Sequence, residues 1–412
     1  MRHVQPSQLA AVAARGARGV LRVAKARVPG MAQQVAPSSE SVLLVFAGGR
    51  SQAYQALQWL WALERLDDRV RGAGGGVGIV CRDPDVVSML QARTGLPVRS
   101  ARTTRALSQE LRAPKVRVAF YPNQAALNFQ ALASPLPAHV HLSHGESEKV
   151  SMVSNNLKSY DHVFTAGAAA RERIAEHLVA FDQSKCIDVG RPQLDQLSPP
   201  PPGFPESERP TVLYAPTWEG DSAAMSYSSA LSAGPRIIAE LLEQGWRVIY
   251  RPHPQLGKRK RAFAKADKEM EHLLQTAGPE HVVDRGSAYG WQLGVADAII
   301  ADLSAVAFDA VGMNTPVIVV TPDASGAAVL HGGILDHVPT LDPQRLRVRS
   351  ALEHAASPEA ATRRRALAQR HYGDTAPGAQ IERFINASLR VIEEREAALQ
   401  ARDSAYGTRR ES

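Results

Sequence analysis

The chain has 412 residues, of which 44% are hydrophobic, 22% charged and 6% aromatic. This length exceeds the roughly 250–300 residues that one core supports, so two domains are expected, and the composition excludes a collagen-like, coiled-coil or wholly disordered chain. The formal net charge is +7, but residues 1–39 hold six basic and no acidic residues. The body is therefore almost neutral, and the charge does not indicate a nucleic-acid partner.

The basic segment 1–39 precedes the first predicted strand. In a helical projection of residues 8–28, Arg15, Arg18, Arg22 and Lys25 form one stripe, opposite an apolar stripe of Leu9, Val12, Val20 and Val23. This pattern is typical of a helix at an anionic membrane surface. Gly16 and Gly19 weaken such a helix by about 1 kcal/mol each, so a disordered leader is the alternative. The sequence contains no apolar run of the ~20 residues that a transmembrane helix needs.

Residues 40–197 are predicted to form a first α/β domain. An apolar run over Ser41–Phe46 precedes a helical pattern over Ser51–Arg65, and further apolar runs follow at Val77–Cys81, Val116–Tyr121 and His139–Leu142. Strands that alternate with helices predict a parallel sheet with crossover connections, as in doubly wound domains.

A proline-rich linker over 198–210 separates a second α/β domain over 211–377. The alternation restarts there, with strands at Thr211–Ala215, Arg247–Arg251, Val282–Asp284, Ala298–Ala301 and Pro316–Val320. Two such domains face each other across a cleft at the carboxyl ends of their strands, where open α/β sheets bind ligands. An amphipathic helix is predicted over 378–400, packed on one or both domains, and a frayed tail over 401–412.

His144 is the candidate functional residue of the first domain. It follows the predicted strand His139–Leu142 and precedes Gly145, so a ligand can approach the backbone there. A structural histidine is the alternative.

The second domain contributes four candidates at its strand ends. Arg251 and His253 lie in an Arg-Pro-His-Pro sequence, whose prolines fix the backbone, and Arg251 suits pairing with a phosphate. A rigid turn is the alternative. Ser304 is predicted to be the N-cap of a helix over Ala305–Val311, whose first N–H groups form an anion site, with plain capping as the alternative. Asp302 precedes this cap.

Two further residues are expected near the same anion. Asp309 lies about one and a half turns inside the predicted helix, where it could contact a ribose hydroxyl or face solvent. Thr217 follows the strand Thr211–Ala215 and could add a hydroxyl or cap a turn.

No metal site is predicted. Asp83 and Asp85 resemble the Asp-x-Asp pair of sugar transferases, but a turn is favoured after the strand that ends at Cys81, and no Cys/His cluster has zinc spacing. The basic run Lys258–Arg261 is interpreted as a solvated face or as a contact for an anionic lipid or polyphosphate acceptor.

In their order along the chain, these pieces resemble the CDP-glycerol glycerophosphotransferases of wall teichoic acid synthesis. The matching stretches, over about residues 140–385, are His144-Gly145, YDHVFT from Tyr160, VGRP from Val189, LYAPTW from Leu213, RPHP from Arg251, Asp302-Leu-Ser304 with Phe308-Asp309, and Tyr372-Gly-Asp with Glu382-Arg383. The ordered set is far more specific than any one motif.

The resemblance implies a GT-B-type fold, with two Rossmann-like domains facing across a cleft. It implies transfer of glycerol phosphate, or of ribitol phosphate in relatives, from a CDP-activated donor to a hydroxyl of a lipid-linked acceptor, with no cofactor or metal. The family's two functional histidines match His144 and His253. The family works at the cytoplasmic membrane face, and Cys81 and Cys186 are interpreted as free thiols of a reducing compartment.

The sequence departs from the family pattern in two places. His-Gly-Glu-Ser-Glu-Lys149 replaces the usual His-Gly-Thr-Pro-Leu-Lys, so Glu146 and Glu148 are expected beside His144, where they would raise its pKa or contact a polyol. Gly145, Glu146 and Lys149 are the candidate acceptor contacts. Asp302-Leu-Ser-Ala replaces Asp-Tyr-Ser-Ser, which removes one hydroxyl from the anion site.

In the predicted mechanism, neutral His144 accepts the proton of the acceptor hydroxyl as that hydroxyl attacks the β-phosphorus of the donor, and CMP leaves. Cationic His253, Arg251 and the N–H groups after Ser304 balance the charge on the pyrophosphate, where a metal would otherwise be expected. Two alternatives stay open: a nucleotide-sugar glycosyltransferase on the same scaffold, and a non-catalytic, membrane-associated nucleotide-binding relative.

Overall fold

The computed structural model describes residues 39–148, 153–222, 225–286, 289–322, 327 and 332–407. The predicted surface helix in segment 1–39 and the candidate Lys149 lie outside these described residues. Within them, the chain forms two parallel sheets with helices on both faces. The predicted α/β class with two Rossmann-like sheets is confirmed.

The first sheet is built from strands β1 Val42–Phe46, β2 Val77–Cys81, β3 Val98–Ser100, β4 Val118–Tyr121, β5 Ala138–His141, β6 His162–Thr165 and β7 Cys186–Asp188. In the described part of the chain their order is β3-β2-β1-β4-β5-β6-β7, with every neighbouring pair parallel. Strands β3, β6 and β7, which the sequence analysis did not predict, lie at or next to an edge. Polar residues interrupt these short strands, so they lack a clear apolar run.

The second sheet is built from strands β8 Thr211–Ala215, β9 Arg247–Tyr250, β10 Val282–Val283, β11 Ala298–Ala301, β12 Val317–Val320 and β13 Thr340–Leu341. Among the described residues their order is β10-β9-β8-β11-β12-β13, again all parallel. Side chains of β8 alternate between two cores, with Val212 and Tyr214 on one face and Leu213 and Ala215 on the other. Burial on both faces explains why such strands are continuous apolar runs.

The described α-helices are α1 Tyr54–Leu57, α2 Leu60–Arg71, α3 Pro84–Gln91, α4 Thr104–Leu111, α5 Phe129–Leu132, α6 Ala168–His177, α7 Gly234–Glu243, α8 Arg261–Ala277, α9 Trp291–Val295, α10 Ala305–Gly312, α11 Ile334–His337, α12 Val348–Ala355, α13 Pro358–Tyr372 and α14 Ala379–Gly407. In this part of the chain, none is long and apolar enough to cross a membrane. Helix α13 contacts both α10 and α6, so it joins the two domains.

The last helix returns to the first domain. Helix α14 packs against α2, and its Phe384, Ile385 and Val391 are buried in the same core as β1. The predicted frayed tail over 401–412 is wrong in its first part, because the helix continues to Gly407. The chain therefore crosses between the domains twice, once through 198–210 and once through 373–378.

Candidate functional site

The predicted residues lie at the carboxyl ends of strands from both sheets. The residues that follow a strand are His144 after β5, Thr217 after β8, Arg251 and His253 after β9, and Asp302 and Ser304 after β11. Strands β9, β8 and β11 are consecutive in the second sheet, so their carboxyl ends form one continuous edge. Parallel sheets present their ligand sites at this edge.

The His144–Gly145 loop meets the first turn of α10 across the two domains. Gly145 has a φ of 158°, and a Cβ built on it would lie 3.1 Å from the Cβ of Ala305. A side chain would therefore push the two segments apart, and glycine permits the close approach. The structure thus brings together two motifs that are 160 residues apart in sequence, at the N-terminus of a helix, where the first N–H groups generally lack a partner one turn earlier in the helix.

The backbone of the His144 loop is held by two residues of the turn between α1 and α2. Trp59 Nε1 donates to the Ser143 carbonyl at 2.8 Å, and Gln58 Nε2 donates to the His144 carbonyl at 2.8 Å. Ser143 has a φ of 65°, which turns the chain sharply out of β5. These contacts fix where the imidazole sits.

The imidazole of His144 is held neutral. Its Nδ1 lies 3.2 Å from the Pro122 carbonyl oxygen, and its Nε2 lies 3.4 Å from Gln55 Nε2. Burial of the ring lowers its pKa to about 4, and the nearby charge of Arg191 acts in the same direction, against the opposing effect of the Pro122 carbonyl. Near pH 7 the ring is therefore available as a proton acceptor.

Glu146 and Glu148 point away from this ring. Glu146 forms an ion pair with Arg173, and Glu148 Oε2 accepts from the Ile334 backbone N–H at 2.9 Å. Both carboxylates also face His371, at 3.7 and 3.5 Å. The expectation that they raise the pKa of His144 is wrong, because they pair with other groups.

These two glutamates instead stabilise a contact between the domains. Ile334 and His371 belong to the second half of the chain, and Arg173 lies on α6 of the first domain. Burial disfavours a charged His371, but the two carboxylates outweigh this effect and raise its pKa. Glu146 is 4% exposed, so the candidate acceptor contact at this residue is a buried ion pair.

Arg191 forms a second contact between the domains. Its Nε donates to Asp309 Oδ1 at 3.0 Å and its Nη2 to Asp309 Oδ2 at 3.3 Å, while Nη2 also donates to Gln58 Oε1 at 2.8 Å. The Tyr289 hydroxyl donates to the same carboxylate at 2.8 Å. Asp309 is completely buried, so the expectation that it contacts a ribose or solvent is wrong.

In the sequence, Arg191 stands out only as part of a motif. The Val189-Gly-Arg-Pro stretch was the available signal, but its partner lies 118 residues away on another domain. A pocket lies beside this pair, lined from both domains by Gln58, Trp61, Tyr289 and Leu293.

Arg251 is oriented by a buried carboxylate and a neighbouring aromatic ring. It forms an ion pair with Asp284, and its guanidinium lies 5.4 Å from the centroid of the Tyr289 ring. Gln292 Nε2 donates to the same Asp284 carboxylate. Tyr289 thus contacts both Arg251 and the Arg191–Asp309 pair, so this cation is linked to the first domain through a short chain of contacts.

His253 is fixed by its own turn. Its ring stacks on Trp218 at a centroid distance of 6.1 Å, and its Nδ1 accepts from the Gln255 N–H at 3.1 Å. The His253 N–H donates to the Pro216 carbonyl at 3.2 Å, which ties the loops after β8 and β9 together. The rigid Pro-flanked turn, which was the alternative interpretation, is therefore present. The expectation of a cationic His253 is wrong in this arrangement, because Nδ1 accepts a backbone N–H and so carries no proton.

Asp302 organises the loop after β8. It is completely buried, and it accepts from the N–H groups of Thr217 at 2.7 Å and Ser229 at 3.1 Å. Thr217 is 4% exposed. Asp302 thus positions the strand-end loop, and its carboxylate is committed to backbone donors.

Ser304 stands at the N-cap of α10, as predicted, but not as a side-chain cap. Its backbone is extended, with φ −156° and ψ 168°, yet its hydroxyl makes no cap hydrogen bond. Among the described residues, the buried Ser304 Oγ has no hydrogen-bond partner. A buried polar atom without a partner is costly, so this hydroxyl and the N–H groups beside it are suited to meet an anion.

The predicted turn at Asp83 is present. Asp83 is the N-cap of α3, and its Oδ1 accepts from the Asp85 N–H at 3.0 Å. Within the described residues, no group of three or more His, Cys, Asp or Glu side chains is arranged to hold a metal ion.

Comparisons with solved structures support the fold. A protein from Listeria monocytogenes assigned as a UDP-N-acetylglucosamine 2-epimerase is 17% identical, with a TM-score of 0.56 over 86% of this chain and 97% of that one. The wall teichoic acid polymerase TagF is 14% identical, with a TM-score of 0.54 over 87% and 90%. A glycosyltransferase from Rickettsia africae is 12% identical, with a TM-score of 0.52 over 87% and 99%. No curated protein matches the sequence significantly.

The family comparison identifies the class of protein. The sequence profile of the CDP-glycerol:poly(glycerophosphate) glycerophosphotransferases matches residues 114–328, just over half of the chain. This range contains His144, Arg191, Arg251, His253 and Ser304. The resemblance that the ordered motifs indicated is confirmed, and the protein belongs to the CDP-glycerol:poly(glycerophosphate) glycerophosphotransferase family of enzymes.

Proposed function

We propose that this enzyme transfers glycerol phosphate, or a related polyol phosphate, from a CDP-activated donor to a hydroxyl of a lipid-linked acceptor, with release of CMP. Family membership supports the donor class. The observation that carries the mechanism is the position of a neutral imidazole, His144, in a loop that touches the N-terminal turn of α10 from the opposite domain. This arrangement supports the proposal of a base next to an anion-binding helix end.

The proposed step is a single displacement at phosphorus. The acceptor hydroxyl oxygen forms a bond to the donor phosphorus that carries glycerol, and the bond from that phosphorus to the bridging oxygen of CMP breaks. The hydroxyl proton passes to His144 Nε2, and CMP leaves with the bridging oxygen. Such a general base typically contributes 10²–10⁴-fold to the rate.

The Arg251 cation, the Nε2–H of His253 and the N–H groups at the start of α10 are proposed to stabilise the pyrophosphate during this step. Arg251 and His253 lie at the end of β9, and the α10 N-terminus with Ser304 follows β11, on the same sheet edge. Groups that are oriented before the reaction stabilise developing charge without reorganisation. We propose on this basis that the reaction needs no metal ion.

The enzyme is proposed to act at the cytoplasmic face of a membrane. A lipid-linked acceptor must be met at a bilayer, and residues 1–39 hold six basic and no acidic residues. Each basic residue near an anionic leaflet contributes about 1 kcal/mol to binding, so six suffice for reversible attachment.

The test is a donor comparison with purified enzyme and a soluble acceptor analogue. CDP-glycerol should yield CMP, whereas UDP-sugars should yield no UDP, and EDTA should leave the rate unchanged. His144→Ala should lower turnover by 10²–10⁴-fold, while His272→Ala, on the exposed side of α8, should not change it. Release of UDP would favour a glycosyltransferase. A metal requirement would contradict the proposal that protein groups alone balance the charge on the pyrophosphate. An active His144→Ala variant would contradict the role of His144 as the general base.

A further inference from the structure

Three residues of one hydrogen-bonded chain follow three adjacent strands of the first sheet. Gln55 lies on α1 after β1, Asn123 follows β4, and His144 follows β5, and these strands are neighbours in the order β1-β4-β5. Gln55 and Asn123 are 7% and 6% exposed. Their side-chain amides are therefore buried beside the imidazole, although neither is a charged or nucleophilic group.

The orientation of both amides follows from a backbone donor. The Ala125 N–H, which can only donate, lies 3.2 Å from Asn123 Oδ1. Asn123 therefore presents its Nδ2 to Gln55 Oε1, at 2.8 Å. Gln55 must then direct its NH₂ group towards His144 Nε2 at 3.4 Å and the Tyr54 hydroxyl at 3.4 Å. The reverse orientation would place two NH₂ groups against each other.

The contact on the opposite side of the imidazole indicates which ring nitrogen carries the proton. The Pro122 carbonyl oxygen can only accept, and it lies 3.2 Å from His144 Nδ1, so the proton belongs on Nδ1. A proton on Nε2 would point at the NH₂ group of Gln55. The tautomer is thus fixed from both sides of the ring by backbone groups: directly by the Pro122 carbonyl, and through Asn123 and Gln55 by the Ala125 N–H.

We propose that Gln55, oriented by Asn123, is a positioning residue that holds His144 as the Nδ1–H tautomer and leaves Nε2 as the atom that accepts a proton. The inference deepens the proposed function, because it gives the base its reactive atom. The 3.4 Å contact is long for a hydrogen bond, so an acceptor hydroxyl can replace Gln55 at the lone pair at little cost.

Other groups around the ring do not replace this role. The titratable or charged groups that face it are Tyr54 on α1, whose ring meets it edge-on at 6.2 Å, His141 on β5 and Arg191 after β7. The charge of Arg191 also disfavours an imidazolium, but it does not select between Nδ1 and Nε2. Among these contacts, that of Gln55 is the one made to Nε2.

The test is ¹⁵N NMR titration of the His144 ring in the full-length protein without substrate, with the signal assigned by its loss in His144→Gln. The wild-type ring should be the neutral Nδ1–H tautomer at pH 7. In Gln55→Glu, a carboxylate oxygen accepts from Nε2–H of His144, and the midpoint of the His144 titration should rise by at least one pH unit. Asn123→Asp should shift it in the same direction without touching the ring, because Gln55 then turns its NH₂ towards the new carboxylate and its oxygen towards Nε2.

A matched control and an activity arm separate this inference from the proposed function. Gln52→Glu adds the same charge to an exposed position three residues earlier and should leave the midpoint unchanged. An Nε2–H tautomer in the wild type, or an unchanged midpoint in both Gln55→Glu and Asn123→Asp, would overturn the inference. If the NMR midpoint moves while the acidic limb of the kcat/KM profile stays in place, the tautomer assignment stands and the base role of His144 fails.

Discussion

The buried ion pair between the domains offers the sharpest test of the architecture. Asp309 is completely buried and accepts two hydrogen bonds from Arg191 and one from Tyr289. Asp309→Ala leaves the Arg191 guanidinium, which is 5% exposed, as an uncompensated buried charge. Loss of one partner of such a pair costs about 3–5 kcal/mol, so the free energy of unfolding should fall by about that amount.

The measurement is urea unfolding followed by tryptophan fluorescence and far-ultraviolet circular dichroism. Glu172→Ala is the matched control, because its pair with Arg370, between α6 and α13, also joins the two domains, but the two side chains are 57% and 52% exposed. An exposed pair contributes about 0–1 kcal/mol. The double variant Arg191→Met with Asp309→Leu should recover most of the lost stability, since neither charge of this pair is then left buried. If Asp309→Ala unfolds like Glu172→Ala, the pair is not the buried contact described above.

Two other predictions concern pH and membrane binding. Because Glu146 and Glu148 raise the pKa of His371 in the folded protein, this residue stabilises the fold below its ordinary pKa of 6.5, and the contribution is lost as the pH rises through the raised value. The difference in unfolding free energy between the wild type and His371→Gln should therefore shrink from pH 6 to pH 9, and a constant difference would contradict the assignment. Deletion of residues 1–36 should abolish binding to anionic vesicles at low salt while turnover of a soluble acceptor analogue continues; a full-length protein that ignores such vesicles at low salt would rule out the anchor.

The sequence predicted the elements whose signal is local. Apolar runs such as Val42–Phe46 mark strands buried on both faces, and the residues after them mark the edge where a site forms. His144 and Ser304 were therefore placed at the correct edges. The approach of Gly145 to Ala305 across the domains could not be derived, because it depends on how two independently wound sheets pack.

What the sequence could not reveal were side-chain partners at long separation. Asp309 faces inward because Arg191 meets it from 118 residues away, and no periodicity records that pairing. Glu146 and Glu148 were expected at the imidazole, but Gly145 redirects the chain towards His371 and Ile334. Gln55 had no sequence signal of its own, since a helical glutamine is ordinary until its amide is seen between Asn123 and His144.

The return of α14 to the first domain has a consequence for the order in which the protein assembles during synthesis. Phe384 is buried against Phe120 and Phe164, with ring centroids 5.8 and 6.2 Å away, so the core begun by β1 lacks these contacts until Phe384 has emerged from the ribosome. The second sheet, whose strands all lie between Thr211 and Leu341, has its own strands available earlier. Domains generally fold as units during synthesis, with the N-terminal one first. Here the domain that is made first is the one completed last, and its partly exposed core must wait for the rest of the chain.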